Sequence, residues 1–291
     1  DLFAARKRWE AAQARIPQAT ALPAPRLGVE FEEIPRGSVK LNQASIMYQL
    51  IQSIPFPGKL SLRKRVALTE AQMAALEFKQ AEWRLLSDLK ATYYELWLVE
   101  RQKQIQQEQT LWLRPAVAAA QARYATNAGS LAELLRLQAE LLERLTDLEA
   151  LANRRQALVA HLNHLRNQPA HEELGPLGEL ALQSMPLTVD ELVLIAQELQ
   201  PDLLLMKATA ERAEVSWKLS KRELLPDLET MVELRDPAMG PIGPWDLSLA
   251  VAIPVWFWTK WKYGVKIAYA DKESAQAGYE AARNEVIKRI H

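Results

Sequence analysis

The chain contains an internal repeat, in which its last third matches its N-terminal part at a constant offset of 201 residues. The clearest matches align Asp1-Leu2 with Asp202-Leu203 and Pro25-Arg26-Leu27 with Pro226-Asp227-Leu228. A repeat defines the folding unit, and it therefore constrains the fold more strongly than any single motif. The matches predict one structural unit that the chain builds twice.

The first copy continues beyond the residues that have a partner in the second copy. Lys90 is the partner of His291, whereas the first copy runs on for about 77 residues more. We therefore expect a first repeat over residues 1–167, a linker with a helix over residues 168–200, and a truncated second repeat over residues 201–291. On this interpretation the chain is a fragment of a two-repeat protein.

The composition excludes several classes of function. The 36 basic residues balance 36 acidic residues, which argues against nucleic acid or another polyanion as a partner. Because cysteine is absent, disulfides, thiolate metal sites and a cysteine nucleophile are excluded. No apolar run reaches the roughly 18 residues that a bilayer-spanning helix needs. Ala, Leu, Gln, Glu and Arg dominate, which is typical of long helices and coiled coils.

Two segments in each copy alternate apolar and polar residues with the period of two that indicates a β-strand. They predict one hairpin with strands at about residues 26–33 and 45–54, and a second hairpin over about residues 227–253. The strands approach the ~9–11 residues that a tilted strand needs to cross a bilayer, although the same alternation would suit one side of a soluble sheet. The predicted membrane-facing residues are Leu228, Val232, Leu234, Trp245, Leu247, Leu249, Val251 and Ile253.

Between the hairpins the sequence predicts a long antiparallel helical hairpin over residues 61–167. Pro115 is expected to kink or break its first helix, and Ser130 with Glu133 forms a possible capping box for its second helix. Leucines then recur mostly in steps of three and four, which indicates a coiled-coil seam. The seam comprises Leu134, Leu137, Leu141, Leu145, Leu148, Leu151, Leu158, Leu162 and Leu165, and its partner stripe Leu86, Leu89, Tyr93 and Leu96.

Shorter helices are predicted on either side of this hairpin. The first helix should end at Pro17. Thr188 and Glu191 form a second possible capping box, at the start of the linker helix. Another helix should begin at Pro201, where proline suits the first turn, and the last helix near Val265.

Four strands with one apolar face cannot close a barrel alone, and an open sheet edge in lipid leaves backbone groups without hydrogen bonds. Several copies that share one barrel would satisfy these edges, and the long hairpins would continue it as a helical cylinder. The predicted fold is therefore mainly α with β-hairpins, in which long antiparallel coiled-coil helices accompany four amphipathic strands.

Three motifs resemble the TolC-type outer-membrane efflux proteins. The run Ile54-Pro-Phe-Pro-Gly-Lys-Leu-Ser-Leu62 is similar to their strand-to-helix junction, and most similar to the branch that serves heavy-metal pumps of the RND type. The run Tyr124-Ala-Thr-Asn-Ala-Gly-Ser130 resembles their helical-hairpin tip. Pro201-Asp202-Leu203 and Pro226-Asp227-Leu228 resemble the start of a repeat and of a strand. The resemblance covers the whole chain, and internal duplication is itself a trait of this family.

This resemblance implies a TolC-like homotrimer, with a β-barrel in the outer membrane and an α-helical tunnel in the periplasm of a Gram-negative bacterium. It implies passive export of metal ions or small toxic compounds, driven by an inner-membrane pump of the RND type through a periplasmic adaptor protein. The tip residues Asn127, Ala128, Gly129 and Ser130 would contact the adaptor and form part of the closing iris. The loops at residues 34–44 and 236–244 would face outside.

Aromatic residues cluster just after the second hairpin. Two interpretations stay open: an interfacial belt at the depth of the lipid headgroups, or a packed junction between sheet and helix. The cluster comprises Trp256, Phe257, Trp258 and Trp261, followed by Tyr263. Carboxylates on the polar strand faces would point into the lumen of a barrel, namely Glu30, Glu32, Glu229 and Glu233.

Catalytic and metal chemistry is not expected. His161 and His164 lie three residues apart on a helix, but a metal site would need two more ligands within reach, so solvated coiled-coil positions are favoured. No nucleophile triad, glycine-rich phosphate loop or paired-carboxylate motif stands out. We therefore predict no enzyme, no catalytic residues, no cofactor and no metal.

Two other functions remain open at this point. A soluble coiled-coil scaffold with a small β-subdomain would have the same strand alternation, and a type I secretion duct for proteins would have the same architecture. Extraction separates the first from a membrane duct, because a duct needs detergent whereas a scaffold would be soluble and monomeric.

Overall fold

The same order of elements occurs twice along the chain, as the repeat predicts. The structure is a computed structural model, and it describes residues 2–32, 45–180, 186–235, 245–251 and 261–291. Its elements are α1 (Leu2–Thr20), β1 (Arg26–Glu32), β2 (Ser45–Ile54), α2 (Lys59–Ala125), α3 (Leu131–Leu165), α4 (Val189–Leu199), α5 (Pro201–Arg222), β3 (Leu228–Arg235), β4 (Trp245–Val251) and α6 (Lys262–Ile290). The predicted fold class, mainly α with β-hairpins, is confirmed.

The four strands form one antiparallel sheet in the order β1-β2-β3-β4. The hairpins β1–β2 and β3–β4 are joined through β2 and β3, whose register runs from Met47 opposite Arg235 to Ile54 opposite Leu228. Strands β1 and β4 are therefore the edges of the sheet that the structure describes. The predicted C-terminal end of the second hairpin, at residues 252–253, and both predicted loops lie outside the described residues.

The elements group into two compact units, Asp1–Ala81 with Pro186–His291, and Glu82–Met185. The first unit contains the sheet, α1, the start of α2 and the helices α4 to α6. The second unit contains the rest of α2, α3 and the segment that follows α3. Among the described residues, no helix is both long enough and apolar enough to cross a membrane.

Small buried residues let the helices of the first unit approach closely. Ala12, Ala67 and Ala208 are each less than 8% exposed, and they lie on α1, α2 and α5. Rings and polar groups then join the helices in pairs. These contacts are Trp9 stacked on Phe78 with centroids 6.2 Å apart, Trp217 against Tyr269 at 5.6 Å, and Arg212 Nε donating to Glu70 Oε1 at 2.9 Å.

The second unit is an antiparallel pair formed by α3 and the C-terminal part of α2. Polar contacts cross the pair along its length, from residues 95–100 of α2 against residues 154–155 of α3 to residue 123 against residue 133, as expected for antiparallel helices. They are Glu95 with Arg154, Glu100 with Arg155, Gln106 with Asp147, and Arg123 with Glu133. Most of the predicted seam is present, because Leu96, Leu134 and Leu162 are buried and the other predicted leucines of α3, except Leu145, are half-buried. Leu145 is 38% exposed, so the prediction that it belongs to the seam is wrong. Leu86 is 50% exposed, so the prediction that it belongs to the buried stripe is also wrong.

Two prolines lie inside helices: Pro17 was predicted to end its helix, and Pro115 was predicted to kink or break its helix. Pro17 lies within α1, which continues to Thr20, and Pro115 lies within α2, which continues to Ala125. A proline removes one helical hydrogen bond and costs about 3 kcal/mol in a helix interior. Packing against α3 on both sides of Pro115 offsets this cost, since tertiary contacts rather than local propensity hold most helices.

Candidate functional site

The pairing register divides the sheet into two faces of opposite chemistry. Side chains alternate along each strand, so odd residues of β1 and β4 share a face with even residues of β2 and β3. Nearly every described side chain on this face is apolar; the two polar ones are Gln52 and Thr230. The complete four-strand rows are Leu27–Leu50–Val232–Leu247 and Val29–Tyr48–Leu234–Trp245.

This apolar face is open. Leu27 is 84% exposed, Leu249 is 66% exposed and Trp245 is 61% exposed. More than a third of the surface is also exposed at Val29, Phe31, Tyr48, Leu50, Ile54, Leu234, Leu247 and Val251. Soluble monomers rarely expose an apolar patch of more than a few hundred Å², so such a face marks a contact with lipid or protein.

All but one of the residues predicted to face the membrane lie on this face. They are Leu228, Val232, Leu234, Trp245, Leu247, Leu249 and Val251, while Ile253 lies outside the described residues. Their shared face is an observation, whereas their contact with lipid stays a prediction.

The opposite face of the sheet carries the charged side chains, which crosslink the strands, together with the apolar Met47, Ile51 and Met231. The amide of Gln49 on β2 donates to carboxylates on both sides, to Glu30 and, at 3.1 Å, to Glu233. The guanidinium of Arg26 pairs with Glu229 at 2.5 Å across the sheet. The predicted carboxylates Glu30, Glu229 and Glu233 therefore share one face; the side chain of Glu32 lies outside the described residues. This arrangement could line a water-filled passage.

A buried lysine fixes the end of the sheet at which the helices begin. Lys59 is 3% exposed, and its Nζ donates to the carbonyl of Leu225 and to Asp227 Oδ1, each at 2.7 Å. The N–H of Phe56 donates to the same oxygen of Asp227 at 2.8 Å. Partial burial acts to raise the pKa of Asp227, but the hydrogen bonds from Lys59 and Phe56 outweigh it and leave the pKa lowered.

Sequence reasoning identified the junction motif but missed this ion pair. Lys59 lies inside the run from Ile54 to Leu62, but its partner lies 168 residues away in the second copy. One signal was available: the repeat aligns Asp227 with Arg26, so the two copies carry opposite charges at the start of equivalent strands. The pair ties the first hairpin to the second at the point where β2 meets β3.

The predicted tip is a short turn capped on both sides. Asn127 adopts a left-handed φ of 53°, and the N–H of Ala128 donates to the carbonyl of Arg123 at 2.8 Å, which is a Schellman motif. On the other side, Ser130 Oγ accepts from the N–H of Ala132 at 3.2 Å and caps α3. The turn thus holds Asn127, Ala128, Gly129 and Ser130 in a fixed geometry, with all but Gly129 exposed.

One detail of this turn differs from the prediction. Glu133 was expected to complete a capping box with Ser130, but within the described turn its carboxylate instead pairs with Arg123 at 3.6 Å. The ion pair bridges the two helices and competes with the local bond back to Ser130. The second predicted box, between Thr188 and Glu191, is complete.

A side chain at position 129 would crowd the turn. A Cβ there would lie 3.0 Å from the Cβ of Arg123 and 3.2 Å from the backbone nitrogen of Tyr124. Cβ atoms are rarely this close to another atom, so a side chain at position 129 would force the turn and the end of α2 to shift. Contact of the tip with an adaptor stays a prediction.

Other predicted positions are only partly described. Trp261, at the start of α6, is partly exposed. Trp256, Phe257 and Trp258 lie outside the described residues. His161 and His164 are exposed on α3.

The chain is similar to known proteins in both sequence and fold. The family model of the outer membrane efflux proteins matches residues 1–167. No curated protein sequence matches the chain.

The outer membrane protein VceC from Vibrio cholerae has a similar fold, with a TM-score of 0.78 and 16% identity over 97% of this chain and 72% of that chain. CusC gives a TM-score of 0.81 and 14% identity over 99% and 70%. The CmeC outer membrane channel of Campylobacter jejuni gives 0.75 and 14% over 100% and 68%.

Proposed function

Because the chain belongs to the outer membrane efflux protein family, we propose that it is a subunit of an outer-membrane duct for metal ions or small toxic compounds. Export through the duct is passive, and an inner-membrane pump of the RND type supplies the energy. One observation carries the proposal above all: the sheet has an open apolar face opposite a charged face.

The apolar face suits lipid. The strands run from 7 residues in β1 to 10 residues in β2, near the ~9–11 that a tilted strand needs to cross a bilayer. Burial of apolar surface in lipid contributes about 25 cal/mol per Å², which favours insertion of a face that water would otherwise contact. A soluble coiled-coil scaffold would have no use for such a face.

The edges of the sheet call for further copies of the chain. Lipid cannot satisfy the unpaired backbone groups of β1 and β4. In a homotrimer, β4 of one copy pairs with β1 of the next, and the barrel closes without an edge. The polar face, with Glu30, Gln49, Glu229 and Glu233, then lines the lumen.

The fixed turn at Asn127–Ser130 supports the proposed adaptor contact. Its exposed backbone is held by caps on both helices, so a periplasmic adaptor protein would meet a preformed surface. Preorganisation of this kind reduces the entropy lost on binding.

The junction motif favours metal ions among the possible cargoes, because Ile54–Leu62 resembles the branch that serves heavy-metal pumps. Its lysine acts on the fold, since Lys59 is buried against Asp227. Cargo therefore has to be measured directly. The protein is expressed with an adaptor and pump in a strain that lacks its own duct, and resistance to copper, zinc and cobalt salts is compared with resistance to dyes. Selective resistance to the metal salts is expected, and resistance to dyes alone would contradict the metal assignment.

A pair of neighbouring variants tests the membrane position. Leu249→Lys places a charge on the apolar face, where a cation costs roughly 2–4 kcal/mol near the bilayer centre. Ser248→Lys, one residue earlier, places the same charge on the polar face. We expect the first variant to lose recovery from the outer-membrane fraction and the second to retain it. Equal recovery of both would argue against a lipid-facing sheet.

A further inference from the structure

A cluster of basic residues lies at the end of the sheet where its helices begin. In residues 59–66, 216–227 and 261–270 there are nine cations but only two carboxylates, Glu223 and Asp227, in a chain whose charges balance overall. We call these nine residues the basic collar; they are Lys59, Arg63, Lys64, Arg65, Lys218, Lys221, Arg222, Lys262 and Lys266.

The three segments of the basic collar lie side by side. Arg63 on α2 approaches Glu223 after α5 at 4.0 Å, and Trp217 on α5 packs against Tyr269 on α6 with ring centroids 5.6 Å apart. The basic collar also lies next to the apolar face. Ile54 and Leu228 form the last pair on that face. Ile54 precedes Lys59 by a few residues, and Leu228 follows Arg222 by a few residues. The positive charge is therefore concentrated at one boundary of the apolar face.

Helix dipoles do not account for this charge. Lys221 and Arg222 lie in the last turn of α5, where cations complement the exposed carbonyls. At the starts of α2 and α6, however, the N–H groups make a cation unfavourable, and neither first turn contains an acidic residue. At the start of α2 the Asp227 carboxylate compensates Lys59, whereas the first turn of α6 carries Lys262 and no acidic residue, so an external anion would be favoured there.

A cavity of about 480 Å³ opens inside the basic collar, between α2 and α5. Its lining combines apolar and cationic side chains, namely Leu62, Leu224, Leu225, Lys218, Lys221 and Arg222. Lys218 already pairs with Glu214 at 2.5 Å. By contrast, no carboxylate among the described residues forms an ion pair with Lys221 or Arg222.

The side chains of Lys221 and Arg222 are nevertheless held in place. Nζ of Lys221 lies 3.3 Å from the ring centre of Trp217. The guanidinium of Arg222 lies over the backbone of Gly58, 3.7 Å from where a Cβ would be. Both cationic groups are thus positioned, and within the described part of the chain neither has an anionic partner.

We propose that this cavity binds an anionic phospholipid. The phosphate lies between Lys221 and Arg222, and the first carbons of the acyl chains lie against Leu62, Leu224 and Leu225. A free phosphate would use the cations but not the leucines, whereas a phospholipid uses both. The inference rests on the proposed membrane position of the sheet, which places this boundary at the depth of the headgroups.

The test uses the full chain in nanodiscs of neutral phosphatidylcholine, to which phosphatidylglycerol is added in increasing fraction. Bound lipid is counted by native mass spectrometry, and the unfolding temperature is recorded in parallel. A third arm adds inorganic phosphate instead. We expect phosphatidylglycerol to be retained and to raise the unfolding temperature, whereas inorganic phosphate has no effect.

The variant Lys221→Gln with Arg222→Gln removes both unpaired cations. Each basic residue near an anionic lipid surface contributes roughly fivefold in binding, so the double variant should bind phosphatidylglycerol roughly 25-fold more weakly. The control is Lys79→Gln with Lys207→Gln, which removes the same charge at positions on α2 and α5 that do not line the cavity. The charge-preserving exchange Lys221→Arg with Arg222→Lys should retain binding.

Each other outcome overturns a defined part of the inference. An equal loss in the control would mean that net charge, not this cavity, attracts the lipid. An equal response to inorganic phosphate would mean a free-anion site. A chain that enters nanodiscs but binds both lipids equally would refute only the lipid site, whereas a chain that does not enter them would refute the proposed function as well.

Discussion

The sheet and the helical hairpin α2–α3 place their apolar residues in opposite ways. In the hairpin, Leu96 is 1% exposed and Leu162 is 5% exposed, because the two helices bury a shared seam. In the sheet, Leu249 is 66% exposed and Trp245 is 61% exposed, because the structure packs no described element of the chain on that face. The hairpin buries its apolar seam within one chain, whereas the sheet leaves its apolar face for contact with lipid or another molecule.

The hairpin is not fully satisfied either. Trp112 is 81% exposed, Leu111 is 68% exposed and Leu142 is 66% exposed. In the proposed tunnel these residues would pack against helices of neighbouring repeats. The contrast with the sheet is therefore one of degree: the hairpin has one buried seam and one open flank, whereas most of the apolar face of the sheet is open.

The largest change in the free energy of unfolding is expected for a substitution in the buried seam. Leu96→Ala leaves a cavity between α2 and α3 and should lower the free energy of unfolding by about 3 kcal/mol. Leu111→Ala, on the exposed flank, should change it by less than about 0.5 kcal/mol. Denaturant unfolding followed by circular dichroism in detergent measures both. Equal losses would show that the seam is not packed within one chain, and the contrast with the sheet would disappear.

A smaller change in stability is expected when a glycine in the turn of the hairpin, or one in a helix of the sheet-bearing unit, is replaced by alanine. Gly129→Ala should destabilise by about 1 kcal/mol, because its Cβ would crowd Arg123. Gly278→Ala in α6 meets nothing within 4 Å, and alanine favours a helix interior by up to about 1 kcal/mol. The two unfolding temperatures should shift in opposite directions. A neutral Gly129→Ala would show that the tip is less tightly closed than its contacts indicate.

The smallest expected effect concerns pH at the junction of sheet and helices. The lowered pKa of Asp227 means that its contribution to stability is present above its unfolded pKa, near 3.9, and is lost as pH falls through the lower folded pKa. Asp227→Asn removes this titration. The unfolding temperatures of the parent and the variant should therefore converge as the pH falls from about 5 to about 3. A constant difference over this range would mean that charge at Asp227 does not stabilise the junction.

Local periodicity predicted much of the molecule. Alternation along residues 228–235 predicted which side chains share a face, because opposite sides of a strand are fixed by backbone geometry alone. Steps of three and four predicted that Leu134 and Leu162 belong to a seam. Boundaries were predicted less well where proline was involved, since the contacts that let α2 continue through Pro115 come from α3.

Sequence alone therefore determined the elements, their faces and the duplication, since each depends on neighbours a few residues apart or on a comparison of the two copies. Only the tertiary structure decided that β2 pairs with β3 to merge both hairpins into one sheet, and that Lys59 is buried against Asp227. It also decided that Glu133 pairs with Arg123 instead of completing a cap. These choices depend on groups brought together from different helices or repeats, and their energies are set by burial and distance, which no local pattern contains.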